Sequence, residues 1–236
     1  MLLTLPVSAV RPATPRALSV RLSLDGRRLP YTAGQAVLAG RSGQPARRPY
    51  SLAIAPHEAE AQRELELLVG LDADGSPGAH MTGLTLGTAV DLEGPVGSFE
   101  FPANPQERRF LFLAGGTGIA PLRAMLHEAL ARNAGWRLAV VYSARSPDEF
   151  AYGDELARLS AEGAITLRQA VTRPDGRTWS GARGRITADL VGELADRDTM
   201  CFVCGPHAFV EAMVPLLTRA GVPAQRIRVE DWGTQT

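Results

Sequence analysis

The sequence predicts a two-domain protein: an antiparallel β-barrel domain followed by an α/β domain built on a doubly wound parallel sheet. Three observations lead to this fold class. The chain has 236 residues, which is enough for two domains of ordinary size. Its first half consists of short segments whose hydrophobicity alternates with period two, whereas strands and helices alternate in its second half. The change falls near 102–109, so we predict domains at 1–104 and 105–236.

The first half contains candidate strands separated by Gly, Pro and Asp turns. The segment ALSVRLSL (17–24) alternates apolar and polar residues, and the DGRR that follows offers a hairpin turn at Asp25-Gly26. Four further candidates come after it, in the order AGQAVLAG, RRPYSLAI, ELELLVGL and AVDLEGP. Strands of this length and spacing favour a small antiparallel barrel or sandwich.

The second half offers five strand candidates, RFLFLA, WRLAVVYS, AITLRQAV, TMCFVCG and RIRVE. Between the first two, apolar residues recur at helical spacing from Leu122 to Leu130, with Pro121 in the first turn and Gly135 beyond the end. A strand–helix–strand succession of this kind predicts a parallel, doubly wound sheet.

Three more helices are expected between the later strands. Ser146, Pro147 and Glu149 form a capping-box pattern, which predicts a helix that begins at Ser146. Two further helices are predicted to begin near Thr187 and Pro206.

Composition and charge exclude several classes of protein. The 25 basic residues balance 25 acidic ones, so we expect no nucleic-acid partner and no attraction to an anionic membrane. All the basic residues are arginine, which removes Schiff-base and Walker-type lysine chemistry. No apolar run approaches the roughly 18–20 residues of a membrane span. The apolar N-terminus has no positively charged region before it, so we expect no signal peptide and a cytoplasmic protein.

The two cysteines, Cys201 and Cys204, have C-x-x-C spacing. They lie in a strand-like apolar run, however, where residues three apart point to opposite faces. With four scattered histidines and no second cysteine pair, the chain has too few ligands for zinc or an iron–sulfur cluster. We therefore expect no bound metal.

A glycine-rich turn connects the first parallel strand to the first helix of the second half. Gly115, Gly116 and Gly118 let the main chain come close to a ligand, and Thr117 can donate a hydroxyl. Main-chain N–H groups and the helix dipole favour a pyrophosphate at this position of a doubly wound sheet. The alternative is a tight strand–helix turn without a ligand.

Four motifs in this chain resemble those of the ferredoxin–NADP reductase superfamily. They are RPYS at 48–51, GPVGSF at 94–99, GGTGIAP at 115–121 and CGP at 204–206, and YTAGQ at 31–35 resembles the aromatic-x-x-G-Q turn of the family. They occur in the family's order and span nearly the whole chain. The resemblance implies an FAD-binding antiparallel β-barrel domain followed by an NAD(P)-binding α/β domain.

The resemblance implies that the RPYS strand holds the flavin, with Pro49 inside it. Arg48 would pair with a flavin phosphate, to which a planar guanidinium is suited. Tyr50 would lie against the isoalloxazine or the ribityl chain, and Ser51 would form a hydrogen bond near flavin N5. The alternative is an edge strand whose arginines are only solvated.

The second phosphate-binding element departs from the family pattern. Gly78 stands where family members usually carry a serine or threonine, in a segment that begins at Gly75. The main-chain N–H groups of Gly78, Ala79 and His80 are still expected to bind a pyrophosphate oxygen. The missing hydroxyl would cost one charge-assisted hydrogen bond, about 1.5–3 kcal/mol. His80 is either a phosphate contact or an ordinary surface histidine.

The resemblance also places residues around the nicotinamide. Cys204, followed by Gly205 and Pro206, would line its pocket. Glu230 would assist at the active site, and Trp232 would cover the flavin face where the nicotinamide stacks. The alternative for Trp232 is a residue that closes the core.

Selection between NADPH and NADH is expected from donors after the second and third strands of the second half. These donors are Ser143, Arg145, Thr172 and Arg173. Arginine suits a 2′-phosphate, whereas the segment WSGARG at 179–184 resembles members that use NADH. Both nucleotides remain open.

We therefore predict a flavin-dependent NAD(P)H oxidoreductase that passes hydride from the nicotinamide to FAD and electrons to a separate acceptor. A ferredoxin or an oxygenase component is expected, because the chain carries no cysteine cluster of its own. A basic patch with no acid between Gly26 and His57 could serve the cofactor, an acidic redox protein partner, or both; its members are Arg27, Arg28, Arg41, Arg47 and Arg48. The alternatives are an NAD(P)H:flavin reductase that uses free flavin, and an electron-transfer subunit active only within a complex.

Overall fold

The structure is a computed structural model that describes residues 1–72, 75–173 and 178–231. The chain divides into two compact units. The first consists of Met1–Phe101 with Arg123–Glu128, and the second of Pro102–Leu122 with Ala129–Thr236. The domain boundary at 104/105 remains a prediction.

The first unit is built on an antiparallel sheet, which has six strands in the described part of the chain. The strands are β1 (Leu2–Thr14), β2 (Ala17–Ser23), β3 (Ala36–Arg41), β4 (Arg48–Ser51), β5 (Glu64–Gly70) and β6 (Ala89–Val96). They lie in the order β4-β3-β6-β1-β2-β5. The two edges approach each other at a single bridge between Leu52 and Leu67, so the sheet is barrel-like without being closed. This confirms the predicted class of the first half.

Alternation of residue types builds the core of this sheet. Leu5 and Val7 on β1, Val20 and Leu22 on β2, and Val37 on β3 are buried, each with a relative exposure of 1% or less. Their neighbours along the strands face away from this core.

Three features of the first unit correct the sequence predictions. Neither β1 nor the helix α1 (Pro56–Gln62) was predicted. The turn at Asp25-Gly26 does form, with both residues at positive φ (45° and 78°), but it does not make a hairpin. The strand after it, β3, pairs with β4 and β6, whereas β2 pairs with β1 and β5.

The second unit is an α/β structure with a parallel sheet, which has six strands among the described residues. The strands are β7 (Arg109–Gly115), β8 (Arg137–Ala144), β9 (Thr166–Val171), β10 (Ala182–Arg183), β11 (Thr199–Gly205) and β12 (Ile227–Asp231). The helices are α2 (Ile119–Arg132), α3 (Gly153–Ala161), α4 (Ala188–Gly192) and α5 (His207–Arg219). The strands lie in the order β10-β9-β8-β7-β11-β12. All of them are parallel, but their numbering falls from β10 to β7 and then rises from β11, so the order in which the chain adds strands reverses between β7 and β11. The doubly wound prediction is confirmed, and the reversal is where such sheets bind ligands.

Details of the helices differ from the predictions in two places. The helix predicted to begin at Ser146 begins at Gly153, since the Ser146 hydroxyl donates to Asp148 at 2.6 Å and only a short 3-10 turn forms there. The two-residue strand β10 was not predicted. The expected starts near Thr187 and Pro206 are confirmed as the N-caps of α4 and α5. Across the described residues, no helix is both long and apolar enough to cross a membrane.

Candidate functional site

The glycine-rich turn lies at the reversal point of the parallel sheet, at the carboxyl end of β7. A Cβ on Gly118 would lie 2.7 Å from the nitrogen of Gly205 and closer still to the carbonyl of Cys204. A Cβ on Gly115 would lie 2.8 Å from the ring of Phe209. Only glycine therefore allows β7, its turn and the end of β11 to approach so closely.

The turn leads directly into α2 and leaves one hydroxyl exposed. Gly116 has φ +55°, in the left-handed region, and its carbonyl accepts a hydrogen bond from the buried Tyr142 hydroxyl at 3.0 Å. Thr117 is exposed, whereas Pro121 in the first turn of α2 is buried. The turn thus presents main chain and a threonine hydroxyl at the amino end of a 14-residue helix, an arrangement that suits an anion.

The two cysteines have different surroundings within β11, although both side chains are buried. Cys201 is part of the apolar core, and burial raises its pKa to about 12, so its thiol stays protonated. Cys204 lies opposite Glu230 of β12, and its sulfur is 3.9 Å from Oε2 of that carboxylate. The structure thus brings together two of the predicted nicotinamide residues, Cys204 and Glu230. No three His, Cys, Asp or Glu side chains within the described ranges are grouped as metal ligands would be.

A histidine that the sequence analysis did not single out lies beside the Cys-Gly-Pro motif. Pro206 is the N-cap of α5, and His207 is its first residue. The imidazole Nδ1 of His207 is 2.6 Å from Oδ2 of Asp231, and its Nε2 is 3.2 Å from Oε1 of Glu211. The hydrogen bond to Asp231, followed by the nearby carboxylate charges, raises the pKa of His207. Trp232 lies outside the described residues.

The residues predicted to select between NADPH and NADH follow β8 and β9. Ser143, the next to last residue of β8, is half-buried. The N–H of Arg173 donates to the carbonyl of Arg145 at 2.7 Å, and the Thr172 hydroxyl donates to the carbonyl of Ala144 at 3.3 Å. Arg145 and Arg173 are therefore held side by side, and both are exposed.

In the first unit, the two adjacent arginines before Pro49 have different environments. Arg47 forms ion pairs at 3.4 Å with both Asp91 and Glu93 of β6. Arg48 is exposed at the start of β4, and no ion pair or hydrogen bond joins its side chain to another described residue. Of the two cations, Arg48 is the one available to a ligand.

The predicted basic patch is only partly positive. Arg28 forms an ion pair with Glu60 at 3.0 Å, and Arg47 is neutralised by two acids as described above. Their acidic partners, Glu60, Asp91 and Glu93, come from segments outside 26–57, so the positive charge of the patch is partly compensated.

Tyr50 and His80 form a direct pair. The Tyr50 hydroxyl is 2.6 Å from Nε2 of His80, and the two rings stack with centroids 5.8 Å apart. His80 is 3% exposed, so the alternative of an ordinary surface histidine is wrong, and the phosphate contact stays a prediction. Burial first, and then the charge of Arg48, lowers the pKa of His80, while burial raises that of Tyr50 to about 12. The neutral imidazole therefore accepts the hydrogen bond that the phenol donates.

The backbone conformation at position 78 favours glycine. Its φ of 73° and ψ of 161° lie in a region that only glycine adopts readily. A Cβ there would also meet the His80 ring at 3.2 Å and Oδ2 of Asp72 at 3.4 Å. The N–H of Gly78 makes a long hydrogen bond of 3.4 Å to the Ser76 hydroxyl. Ala79 and His80 are the first two residues of the short 3-10 helix Ala79–Met81, so their N–H groups lie at its amino end.

These features of the first unit suit a phosphate-bearing aromatic group. They offer one unpaired guanidinium, two main-chain N–H donors and the stacked Tyr50–His80 pair. Ser51, predicted to act near the reactive flavin atom, is the buried last residue of β4, directly after Tyr50.

Two family models match the chain, one in each half. Residues 11–101 match the oxidoreductase FAD-binding domain, and residues 112–214 match the oxidoreductase NAD-binding domain. Together with the fold, they define a flavin-dependent NAD(P)H oxidoreductase.

A relative that covers almost the whole chain identifies the family. The chain is 33% identical over 237 residues to ferredoxin–NADP reductase B of Sorangium cellulosum strain So ce56, a match that covers 94% of each protein. The protein therefore belongs to the ferredoxin–NADP reductase family. It spans no more than half the length of the other curated relatives that we compared.

Solved structures show the same architecture. The Amycolatopsis cytochrome P450 reductase GcoB matches with a TM-score of 0.87 and 27% identity, over 100% of this chain and 71% of that one. A ferredoxin NADP+ reductase from Neisseria gonorrhoeae, solved with FAD and NADP, matches in fold with a TM-score of 0.82 and 22% identity, over 98% of each chain.

Proposed function

We propose that this protein is an NAD(P)H-dependent reductase of a separate electron-carrier protein, with FAD as its bound prosthetic group. The observation that carries the proposal is the contrast between Arg47 and Arg48. Arg47 is neutralised by two acids, whereas Arg48 begins β4 exposed and without a partner among the described residues. An unpaired arginine next to a half-buried tyrosine that is paired with a buried histidine fits the phosphate of a bound flavin.

Different residues of the first unit would bind different parts of FAD. Arg48 and the N–H groups of Ala79 and His80 would bind its phosphates, while Tyr50, held by His80, would pack against its apolar part. The Ser51 hydroxyl would donate a hydrogen bond near N5. FAD itself supplies the ability to accept a hydride from NAD(P)H and to release the electrons to an acceptor.

The residues of the second unit would bind and orient the nucleotide. The turn Gly115–Gly118 would take the pyrophosphate at the start of α2, and Arg145 with Arg173 would face the adenosine end. Cys204, Gly205 and Glu230 would position the nicotinamide. Orientation and exclusion of water are the protein's contribution to hydride transfer.

The acceptor we propose is a ferredoxin or an oxygenase component. The Sorangium relative is a ferredoxin–NADP reductase by name, and the Amycolatopsis structure is that of a cytochrome P450 reductase. These 236 residues contain two cysteines, fewer than the four that usually hold an iron–sulfur cluster, so we place the acceptor outside them.

The test begins with the visible spectrum of the purified, extensively dialysed protein. We expect a yellow protein with nearly one FAD per chain, which reduces a [2Fe–2S] ferredoxin with NADPH or NADH. The second candidate, a reductase of free flavin, is favoured by Gly78, which lacks the family's phosphate-binding hydroxyl. A colourless protein that oxidises NAD(P)H only after FMN or FAD is added would overturn the first proposal and support the second.

A further inference from the structure

A cavity of about 560 Å³ opens in the first unit, away from all the residues proposed above to bind FAD. The loop between β2 and β3, helix α1 and the start of β5 form its walls. Its size falls within the range of about 300–1,000 Å³ that small-molecule sites occupy in proteins.

The floor of this cavity is aliphatic. Leu24, Leu29, Ala59 and Leu65 line it, and none of them is more than 7% exposed. Tyr31 also lines it, but its hydroxyl donates to the carbonyl of Ile54 at 2.7 Å. The floor therefore offers apolar contact and no free hydroxyl from Tyr31.

The charged groups at the mouth leave an excess of arginine. Arg28 is paired with Glu60 at 3.0 Å, and His57 lies 3.3 Å from the carboxylate of Glu128. Glu60 and Glu128 are the two acids that line the cavity, against three arginines, so the arginines and acids of its lining sum to a net positive charge. Two arginines, Arg27 and Arg63, have no acidic partner among the described residues.

The two remaining arginines differ in the contacts that their side chains make. Arg27 donates from Nη1 to the uncharged main-chain carbonyl of Thr4, so its charge is not neutralised. The side chain of Arg63 is exposed and makes no hydrogen bond or ion pair with another described residue. The mouth therefore carries uncompensated positive charge above an apolar floor.

The backbone of Arg63 is a second, independent observation. It is the C-cap of α1, with φ 61° and ψ 31° in the left-handed region, where glycine or asparagine is usual. Its N–H donates to the carbonyl of Ala59, and its carbonyl accepts from the N–H of Leu24 at 2.9 Å. Both of these contacts are main-chain, so the fold at this position does not need the arginine side chain.

We propose that this cavity binds a small carboxylate with an apolar body. Arg63 and Arg27 would hold the carboxylate through charge-assisted hydrogen bonds, and the apolar body would cover the aliphatic floor. None of its lining residues belongs to the FAD or nucleotide sites proposed above.

The test is isothermal titration of the full-length protein, in the form in which it is purified, with four probes. Octanoate and 3-phenylpropanoate combine a carboxylate with an apolar body, whereas 1-octanol lacks the charge and inorganic phosphate lacks the apolar body. We expect saturable binding of at least one carboxylate, and binding at least about tenfold weaker for octanol and phosphate.

Two variants test whether the carboxylate binds in this cavity. Arg63→Gly suits the left-handed C-cap and should keep the melting temperature of the parent, yet weaken carboxylate binding by about tenfold. Arg16→Gln, a change at an exposed arginine outside the cavity, should leave binding unchanged. The proposal is overturned if neither carboxylate binds, if octanol or phosphate binds as well as the carboxylates, or if Arg63→Gly binds them as tightly as the parent.

Discussion

The hydroxyl of Tyr50 lies 2.6 Å from Nε2 of His80, and this hydrogen bond links β4 to the turn that begins at Gly78. The two residues are 30 positions apart in the chain. Because both segments are proposed to hold FAD, the pair sets their relative position before any ligand is present. His80 is thus a positioning residue for Tyr50.

Replacement of His80 tests that role. In His80→Phe the stacked ring remains, but the half-buried Tyr50 hydroxyl loses its partner, so we expect a loss of about 1–3 kcal/mol of stability. We also expect weaker FAD binding, measured by fluorescence titration of the apoprotein. His207→Asn, a change at an exposed histidine, is the control. Unchanged stability and FAD affinity in His80→Phe would contradict the positioning role.

The same histidine predicts a dependence of stability on pH. In the folded protein the pKa of His80 is lowered from its ordinary value of 6.5, first by burial and then by Arg48. As the pH falls below 6.5, the unfolded chain takes up a proton before the folded chain does, so the free energy of unfolding falls. The raised pKa of His207 acts in the opposite direction in both proteins, so we expect urea unfolding between pH 7 and pH 5 to show this loss as a difference between the parent and His80→Phe. The loss should be smaller in His80→Phe, and an equal loss would count against the assignment.

Arg48 and Arg47 form a matched pair for mutation. Arg48→Gln should weaken FAD binding by about tenfold to a hundredfold, the effect of one lost charge-assisted hydrogen bond of roughly 1.5–3 kcal/mol, without a change in apoprotein stability. Arg47→Gln should instead lower stability, because the partly buried Asp91 loses its cationic partner and keeps only uncharged donors such as Thr4. Equilibrium dialysis and thermal unfolding separate the two effects. An Arg48 variant that retains FAD like the parent would refute the phosphate-binding role.

The backbone geometry of the Gly78 turn predicts that a serine at this position weakens FAD binding. Gly78→Ser supplies the hydroxyl that the family resemblance predicts at this position, yet it places a side chain at φ 73° and ψ 161°, against the His80 ring. The strain, about 1–3 kcal/mol, should outweigh the gain, so we expect FAD affinity to fall. Gly75→Ser, also at positive φ but with open space around it, controls for backbone strain alone. Tighter FAD binding by Gly78→Ser would show that the turn adapts.

Gly118 tests the close approach of the glycine turn to β11. In Gly118→Ala the new methyl group overlaps the carbonyl of Cys204, so we expect the variant to lose about 2 kcal/mol or more of stability and to bind the nucleotide poorly. Gly192→Ala, at the end of α4 with open space around it, should be neutral or slightly stabilising. Differential scanning calorimetry compares the two. Equal melting temperatures would mean that the turn can move away from β11.

The sequence alone determined those features that depend on local pattern. Period-two segments predict the antiparallel sheet, and alternating strands and helices predict the parallel one, because each period places one face in a core. The glycine-rich turn with Gly115, Gly116 and Gly118 and the apolar run around Cys201 can also be recognised from neighbouring residues alone. These signals lie within a few residues of one another.

The tertiary structure decided what depends on partners distant in the chain. β1 was missed because Pro6, Pro12 and two register shifts interrupt its period, although β2 and β6 complete its hydrogen bonds. The Asp25-Gly26 turn forms locally, but which strands pair depends on burial of the whole sheet. The sequence does not show that His80 is buried against Tyr50. It also does not distinguish Arg47 from Arg48, because the two acids that pair with Arg47 lie on β6, far away in the chain. A side chain's charge and chemistry are local, whereas its partner is set by the fold.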